Sequence, residues 1–217
     1  MSDNLKKLKL LPAREYKGGN QDEPTRFYFL PVVGSMYRRR VELCLAECVG
    51  GTRILEVGFG TGVSFLNLHE IYQEIHGLDL TVNVDDVKKV FDRLGVPTFL
   101  RNGNVLNMPY ENDTFDTVLL ISVLEHLKPS ELDPAFREIH RILKTGGQMV
   151  YGVPIERTFM VALFYLLGYN IRKAHFSTEI QISTAAEEMF HQKKITRMKP
   201  IPSIIGPVYE VGNFEKN

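Results

Sequence analysis

Short apolar-rich runs of strand length alternate with segments of helical periodicity along this chain. The runs lie at residues 52–58, 74–80, 96–102, 115–122 and 148–154. The fourth run is apolar enough to be buried on both faces of a sheet, as happens in parallel sheets that are covered by helices. Repeated alternation of this kind predicts a parallel sheet with helices on both faces, and therefore an α/β fold.

Helical spacing of apolar residues defines the segments between these runs. In residues 36–51, "MYRRRVELCLAECVGG", Cys44 and Cys48 share one predicted helical face, and the two glycines end the helix. Further helices are predicted at 61–71 and at 84–94, the second with Asn83 as N-cap. Another helix is predicted to start after the N-cap Asp133 and to end at Thr145-Gly146-Gly147, and a last one to start after the N-cap Ser183. Two more strands are expected near the C-terminus.

The most unusual local pattern is a glycine at every second position in "ILEVGFGTGVSFLNL", residues 54–68. Gly58, Gly60 and Gly62 come directly after the first predicted strand. In parallel α/β sheets ligands bind beyond the carboxyl ends of the strands, and glycine lets a backbone turn sharply and approach a ligand. A dinucleotide-binding loop has glycine at positions 1, 3 and 6, whereas the sixth position here is Val63.

Two carboxylates near this loop help to identify its ligand. Glu56 stands two residues before the loop, where it suits the ammonium and sulfonium of S-adenosylmethionine (SAM) better than a pyrophosphate. An opposite charge at about 4 Å in partly shielded surroundings is worth about 4 kcal/mol before desolvation. Asp79, at the end of the second predicted strand, can accept hydrogen bonds from a ribose diol, which NAD and SAM share. The charge of Glu56 therefore favours SAM.

Four ordered segments resemble the class I SAM-dependent methyltransferases, in particular their small-molecule (type 11-like) branch. The segments are "ILEVGFGTG", "GLDL", "GNVLNMPYENDTFDTVLLISVLEHL" and "EIHRILKTGGQMVYGVP". The resemblance covers about residues 36–154. It implies a Rossmann-like, mostly parallel seven-stranded sheet in the order 3-2-1-4-5-7-6 with the last strand antiparallel. It also implies SAM as cofactor and S-adenosylhomocysteine as its product.

The resemblance assigns ten positions of this sequence to the cofactor. Glu56, Gly58 and Gly60 would flank the methionine part, Gly62 would open the helix behind it, and Asp79 would hold the ribose hydroxyls. Leu80, Asn104 and Val105 would meet the adenine, and the carbonyl of Ile121 or the side chain of Ser122 the methionine amine. Asn104 replaces the usual Asp of the family. Its side-chain oxygen can accept the same hydrogen bond, so we expect adenine recognition to survive.

Methyl transfer from SAM depends mostly on positioning and on exclusion of water, so the one catalytic side chain to look for is a base for the acceptor. His126 and His175 are the candidate bases, because imidazole titrates near neutral pH. Glu125 is a weaker third candidate. His126 also fits a packing or capping role, and His175 a role in stapling a surface loop. We expect no metal site.

Composition and charge narrow the possible partners. Lys+Arg and Asp+Glu both number 26, so no basic excess indicates nucleic acid as a partner. The apolar stretch 159–168 is half of the ~20 residues needed to span a bilayer, and the N-terminus lacks a signal-peptide run, so we expect a cytoplasmic protein. Residues 158–168 fit a core or dimer helix, an acceptor wall or a peripheral membrane contact. The oligomeric state stays open.

These observations predict two regions and one main function. Residues 1–33 would form an N-terminal extension or lid, and residues 34–217 a methyltransferase domain with an acceptor-side insertion at about 155–182. The main hypothesis is SAM-dependent methyl transfer to O, C or N of a small-molecule or lipid-like acceptor. The alternative is a catalytically silent SAM- or nucleotide-binding partner module. An NAD-dependent oxidoreductase is disfavoured by Val63 and Glu56.

Overall fold

The computed structural model describes residues 7–19, 24–31, 33–155, 175–199 and 206–217. The strands in these residues are β1 Gly51–Val57, β2 Tyr72–Asp79, β3 Thr98–Asn102, β4 Phe115–Ile121, β5 Leu143–Pro154, β6 His191–Met198 and β7 Tyr209–Glu215. They form one seven-stranded sheet in the order β3-β2-β1-β4-β5-β7-β6. Neighbours among β1–β5 pair in parallel, and β7 is antiparallel to both β5 and β6. The predicted strand order and the antiparallel last strand are confirmed.

Helices cover both faces of the sheet, as predicted. The described α-helices are α1 Val33–Glu47, α2 Phe65–Leu68, α3 Val84–Arg93, α4 Pro129–Ile142 and α5 Glu179–Glu187. One apolar core packs α1, α2 and α3 against the sheet. In this core the rings of Phe65 and Phe91 meet edge to face, with their centroids 4.9 Å apart. The other core packs α4 and α5 on the opposite face. Because both faces are covered, a ligand reaches the sheet at the strand ends.

The start of α4 differs from the prediction. The helix begins at Pro129 and not after Asp133, so its first turn lies further upstream. Proline is well suited to the first helical position, and the side chain of Glu131 accepts a hydrogen bond from the backbone N–H of Lys128 at 2.8 Å. The helix ends at Ile142, and β5 takes up the chain before the predicted glycine stop.

Two other helices also differ from the prediction. The side chain of Thr178 accepts from the backbone N–H of Gln181, so α5 begins before Ser183, which lies inside the helix. The predicted helix 61–71 shortens to the four residues of α2. The φ of Gly62 is +74°, which is incompatible with a right-handed helix, so the chain stays in turns up to Ser64.

Among the described residues, no helix combines the length and the apolar character needed to cross a membrane. The stretch 158–168, predicted to be a core or dimer helix, an acceptor wall or a membrane contact, lies outside the described residues. The same holds for most of the expected insertion at 155–182.

Gly62 joins the glycine loop to the apolar core. A Cβ atom at this position would stand 2.7 Å from Cδ2 of Phe65 and 2.7 Å from Cε2 of Phe91. Real Cβ atoms do not approach their neighbours this closely, so one of the two rings would have to move. The left-handed φ and the close packing both require glycine here.

We expect Gly62→Ala to destabilise the protein more than Gly95→Ala. Gly95 has a similar φ of +68° but open space around it, so Gly95→Ala isolates the conformational cost of about 1–2 kcal/mol. Gly62→Ala adds overpacking of about 1–3 kcal/mol. Urea unfolding of both variants measures the difference in free energy of unfolding, and equal losses would show that the ring contact carries no strain.

Candidate cofactor and acceptor site

The glycine loop leaves β1 at the carboxyl edge of the sheet. Gly58, Gly60 and Gly62 have φ values of +69°, +53° and +74°, which L side chains rarely adopt. The N–H of Gly58 donates to the carbonyl of Leu78 at 2.7 Å. A Cβ at Gly58 would lie 2.4 Å from Cγ2 of Val123. Conformation and space therefore both require glycine where β1 ends.

The carboxylate of Asp79 ties the glycine loop to the end of β2. Its Oδ2 accepts from the backbone N–H of Gly60 at 3.0 Å, and its Oδ1 accepts from the N–H groups of Thr81 at 3.0 Å and Val82 at 3.3 Å. An ionised carboxylate has about four acceptor positions. The three backbone bonds leave about one acceptor position, so the half-buried Asp79 can hold the loop and still accept from a ligand hydroxyl.

Glu56 places a second carboxylate under the loop. Glu56 is only 3% exposed, and its carboxylate accepts a hydrogen bond from the hydroxyl of Ser64 at the start of α2. In the sheet Glu56 lies between Gly77 of β2 and Leu119 of β4. Burial strips water from a carboxylate and makes a nearby positive charge worth more than it would be in solvent. A cationic ligand at the loop fits this position.

The residues assigned to adenine lie on the β2–β3 side of the loop. Leu80 is 67% exposed directly after β2, so it offers an apolar surface beside Asp79. Asn104 is exposed, and its Oδ1 accepts from the backbone N–H of Leu106 at 2.9 Å. A carbonyl oxygen has two lone pairs, so that bond leaves one acceptor position. Val105, next to it, is buried.

Ser122 follows β4 in a strained backbone conformation. Its φ is +57°, and its N–H donates to the carbonyl of Gly152 at 2.7 Å. Its hydroxyl lies 3.0 Å from the hydroxyl of Tyr209 on β7. Burial raises the pKa of the Tyr209 hydroxyl well above its usual value, so this group stays protonated at neutral pH. Left-handed conformations of residues other than glycine are concentrated at functional sites.

Arg40 of α1 brings a positive charge to the same end of the sheet. Its guanidinium carbon lies 3.9 Å from the ring centroid of Tyr37 and 5.3 Å from that of Tyr209. Its side chain is also within electrostatic reach of Glu125. Among the described residues its buried Nε has no hydrogen-bond partner. Such a group suits an anionic ligand group, because a guanidinium binds carboxylates and phosphates with directed hydrogen bonds.

The two candidate bases come together although they are far apart in the sequence. The ring centroids of His126 and His175 are 5.3 Å apart. His126 ends the short 3-10 turn Leu124–His126 after β4, and its ring is exposed, whereas His175 is half-buried. The structure therefore places both imidazoles on one side of the carboxyl end of β4, with Glu125 beside them.

The N-terminal residues cross the same edge of the domain. The hydroxyl of Thr25 lies 2.7 Å from that of Thr61 inside the glycine loop. Further along the edge, the N–H of Asn83 at the start of α3 donates to the carbonyl of Gly18 at 2.9 Å. Segments on both sides of residues 20–23 thus contact the elements that carry the cofactor-side residues.

Residues 55–151 match the family model described as a methyltransferase domain. This segment, 97 of the 217 residues, is a methyltransferase domain of that family. The match includes all ten positions that the sequence assigns to the cofactor, and also His126. It leaves out Arg40, His175 and Tyr209, which lie on either side of it in the chain.

Relatives of the methyltransferase domain share part of their length with it. An uncharacterized methyltransferase of Anoxybacillus flavithermus is 29% identical over 101 residues, 46% of each chain. Phthiotriol/phenolphthiotriol dimycocerosates methyltransferase 1 of Mycobacterium ulcerans is 34% identical over 137 residues, which are 60% of this chain and 45% of that protein. The chain therefore spans less than half the length of these curated relatives.

Solved structures share the fold of the methyltransferase domain. Geranyl diphosphate methyltransferase in complex with SAM superposes with a TM-score of 0.68 at 16% identity, covering 93% of this chain and 98% of that chain. The PH0226 protein of Pyrococcus horikoshii superposes with a TM-score of 0.70 at 15% identity, covering 89% and 96%. At these identities the likeness shows the fold.

Arg40 and Tyr209 are the residues of this site that the sequence pattern does not single out. The signal for Arg40 is its spacing on α1, where it lies three residues after Tyr37 and four before buried Cys44 on one helical face. The short basic run Arg38–Arg40 hides that position among neighbouring charges of the same sign. No comparable local signal marks Tyr209, whose role depends on the pairing of β7 with β5.

Proposed function

We propose that this protein is a SAM-dependent methyltransferase in which the glycine loop, Glu56 and Asp79 hold SAM. The observation that carries the proposal is the pair of fixed carboxylates on two sides of the loop, with Glu56 buried below it and Asp79 bonded to Gly60. The cationic methionine end of SAM suits Glu56, and the ribose diol suits Asp79. A pyrophosphate in the same place would meet negative charge.

The remaining cofactor-side residues complement the other parts of SAM. Leu80 gives an apolar face for adenine, while Asn104 accepts from its amino group and the backbone of Val105 donates to the ring. Ser122 meets the methionine amine. Arg40 receives the methionine carboxylate, because its guanidinium is held by aromatic rings and its Nε retains a donor position.

The acceptor in this proposal is a small or lipid-like molecule methylated at oxygen, carbon or nitrogen. The support comes from the comparisons, in which one relative is named for a dimycocerosate lipid and one fold neighbour for geranyl diphosphate. His126 and His175 are the side chains placed to accept a proton from such an acceptor.

We also propose that the chain closes the site from two sides. Residues 1–33 act as the cofactor-side lid, which the contact between Thr25 and Thr61 supports. The insertion at about 155–182 acts as the acceptor-side wall. Its described end carries His175, next to the turn that follows β4. Closure would exclude water from the methyl group, as an in-line displacement requires.

Wild-type protein given SAM labelled in its methyl group should transfer the label to at least one isoprenoid or other lipid-like small molecule in a broad acceptor panel. Glu56→Gln removes the negative charge and keeps the shape of the side chain, so the label should not move in that variant. Scintillation counting of extracted products measures transfer. Tight SAM binding without transfer to any acceptor would favour the silent partner module.

Asp79→Asn should weaken SAM binding by about tenfold to a hundredfold. It removes the charge from the hydrogen bond to a ribose hydroxyl, and a charge-assisted bond is worth about 1.5–3 kcal/mol. The matched control is Asp85→Asn, an exposed acidic residue in the first turn of α3 that faces no proposed ligand group. Calorimetric titration compares the two, and equal SAM affinity in both variants would contradict the ribose assignment.

A further inference from the structure

We propose that Glu125, His126 and His175 bind a divalent first-row metal ion at the acceptor end of the site. Each side chain offers one ligand atom, and the three atoms lie within 4.8 Å of one another. Ligand atoms that share one ion at about 2.1 Å stand about 3–4 Å apart, so a small side-chain rotation completes the cluster. His126 is exposed, which leaves space for that rotation.

Hydrogen bonds hold the segment after His175 against the turn that carries Glu125 and His126 before any ion binds. The N–H groups of Phe176 and Ser177 donate to the carbonyl of Glu125 at 2.8 and 3.3 Å. The hydroxyl of Ser177 donates to the carbonyl of Leu127 at 2.6 Å. These bonds fix the residues after His175 against the turn that carries the other two ligands. A site whose ligands are positioned by other groups loses little entropy when the ion enters.

The net charge of the three ligand side chains favours a cation, and the charge of Arg40 reduces that preference. Glu125 is only 2% exposed, so its carboxylate acts at short range with little screening by water. Arg40 is within electrostatic reach of the same carboxylate and opposes the ion. One carboxylate and two neutral imidazoles still give the ligand set a net negative charge.

The donor atoms select the kind of metal. Magnesium and calcium prefer sites built from oxygen, whereas imidazole nitrogen suits zinc, iron, cobalt and other first-row ions. Two histidines with one carboxylate are a known combination for such ions, and three protein ligands leave coordination positions open. The site is therefore suited to a metal that also binds a second molecule.

An open metal position next to the cofactor would take an oxygen atom of the acceptor. A hydroxyl bound there would lose its proton to water more readily, and a phosphate bound there would be held in place, so with the ion bound His126 and His175 serve as ligands and not as bases. This acceptor role rests on the proposed methyltransferase function, whereas metal binding does not. It departs from the expectation of no metal site and makes the acceptor an oxygen-containing compound.

The test is a titration of the full chain with Co²⁺ alone, followed by visible absorption. Wild-type protein should bind one Co²⁺ per chain with new bands in the visible range. His126→Ala and His175→Ala should each lower Co²⁺ affinity at least about tenfold, since loss of a supporting group near a metal already costs that much. His69→Ala is the matched control, because His69 is an exposed histidine outside the cluster, and its affinity should equal that of wild type.

No new bands with wild-type protein, or unchanged bands in the double variant His126→Ala/His175→Ala, would overturn the metal site. Thermal unfolding of each variant confirms that it is folded, so loss of Co²⁺ is assigned to the ligands. SAM binding is measured on the same preparations. Co²⁺ binding without SAM binding would keep the metal site and reject the proposed function, and the reverse result would reject the metal site alone.

Discussion

The bend in the backbone between β1 and α2 is the constraint on which the rest of the site depends. Three glycines with positive φ turn the chain within five residues, and one of them leaves no room for a side chain beside Val123. The bend is held from β2, by the carbonyl of Leu78 and the carboxylate of Asp79. A loop fixed in this way can present its backbone to a ligand without ordering on binding.

Charge then decides which ligand this bend can hold. Glu56 is buried beside the loop, whereas a phosphate-binding loop offers the positive end of a helix; Asp79, bonded to Gly60, suits the ribose of either cofactor. The short α2 strengthens this difference, because four residues give little dipole to attract an anion. The fold is shared by many α/β proteins, but the charge of Glu56 favours a sulfonium cofactor over a dinucleotide.

Local patterns predicted the sheet well, because its strands are apolar runs separated by helical periodicity. They failed where two local signals compete, as at α4, where Pro129 and Pro134 both fit a first helical position and Pro129 takes it. The acceptor end was hardest to foresee. The approach of His126 to His175 depends on backbone bonds between distant segments, and the burial of Arg40 depends on Tyr209 from the last strand.

A crystal structure of the protein with S-adenosylhomocysteine tests the central claim most directly. The account predicts a ribose hydroxyl on the carboxylate of Asp79, and the sulfur and amine over the glycine loop on the side of Glu56. Product bound elsewhere, or the loop filled by the protein's own side chains or by a pyrophosphate from an added dinucleotide, would contradict it.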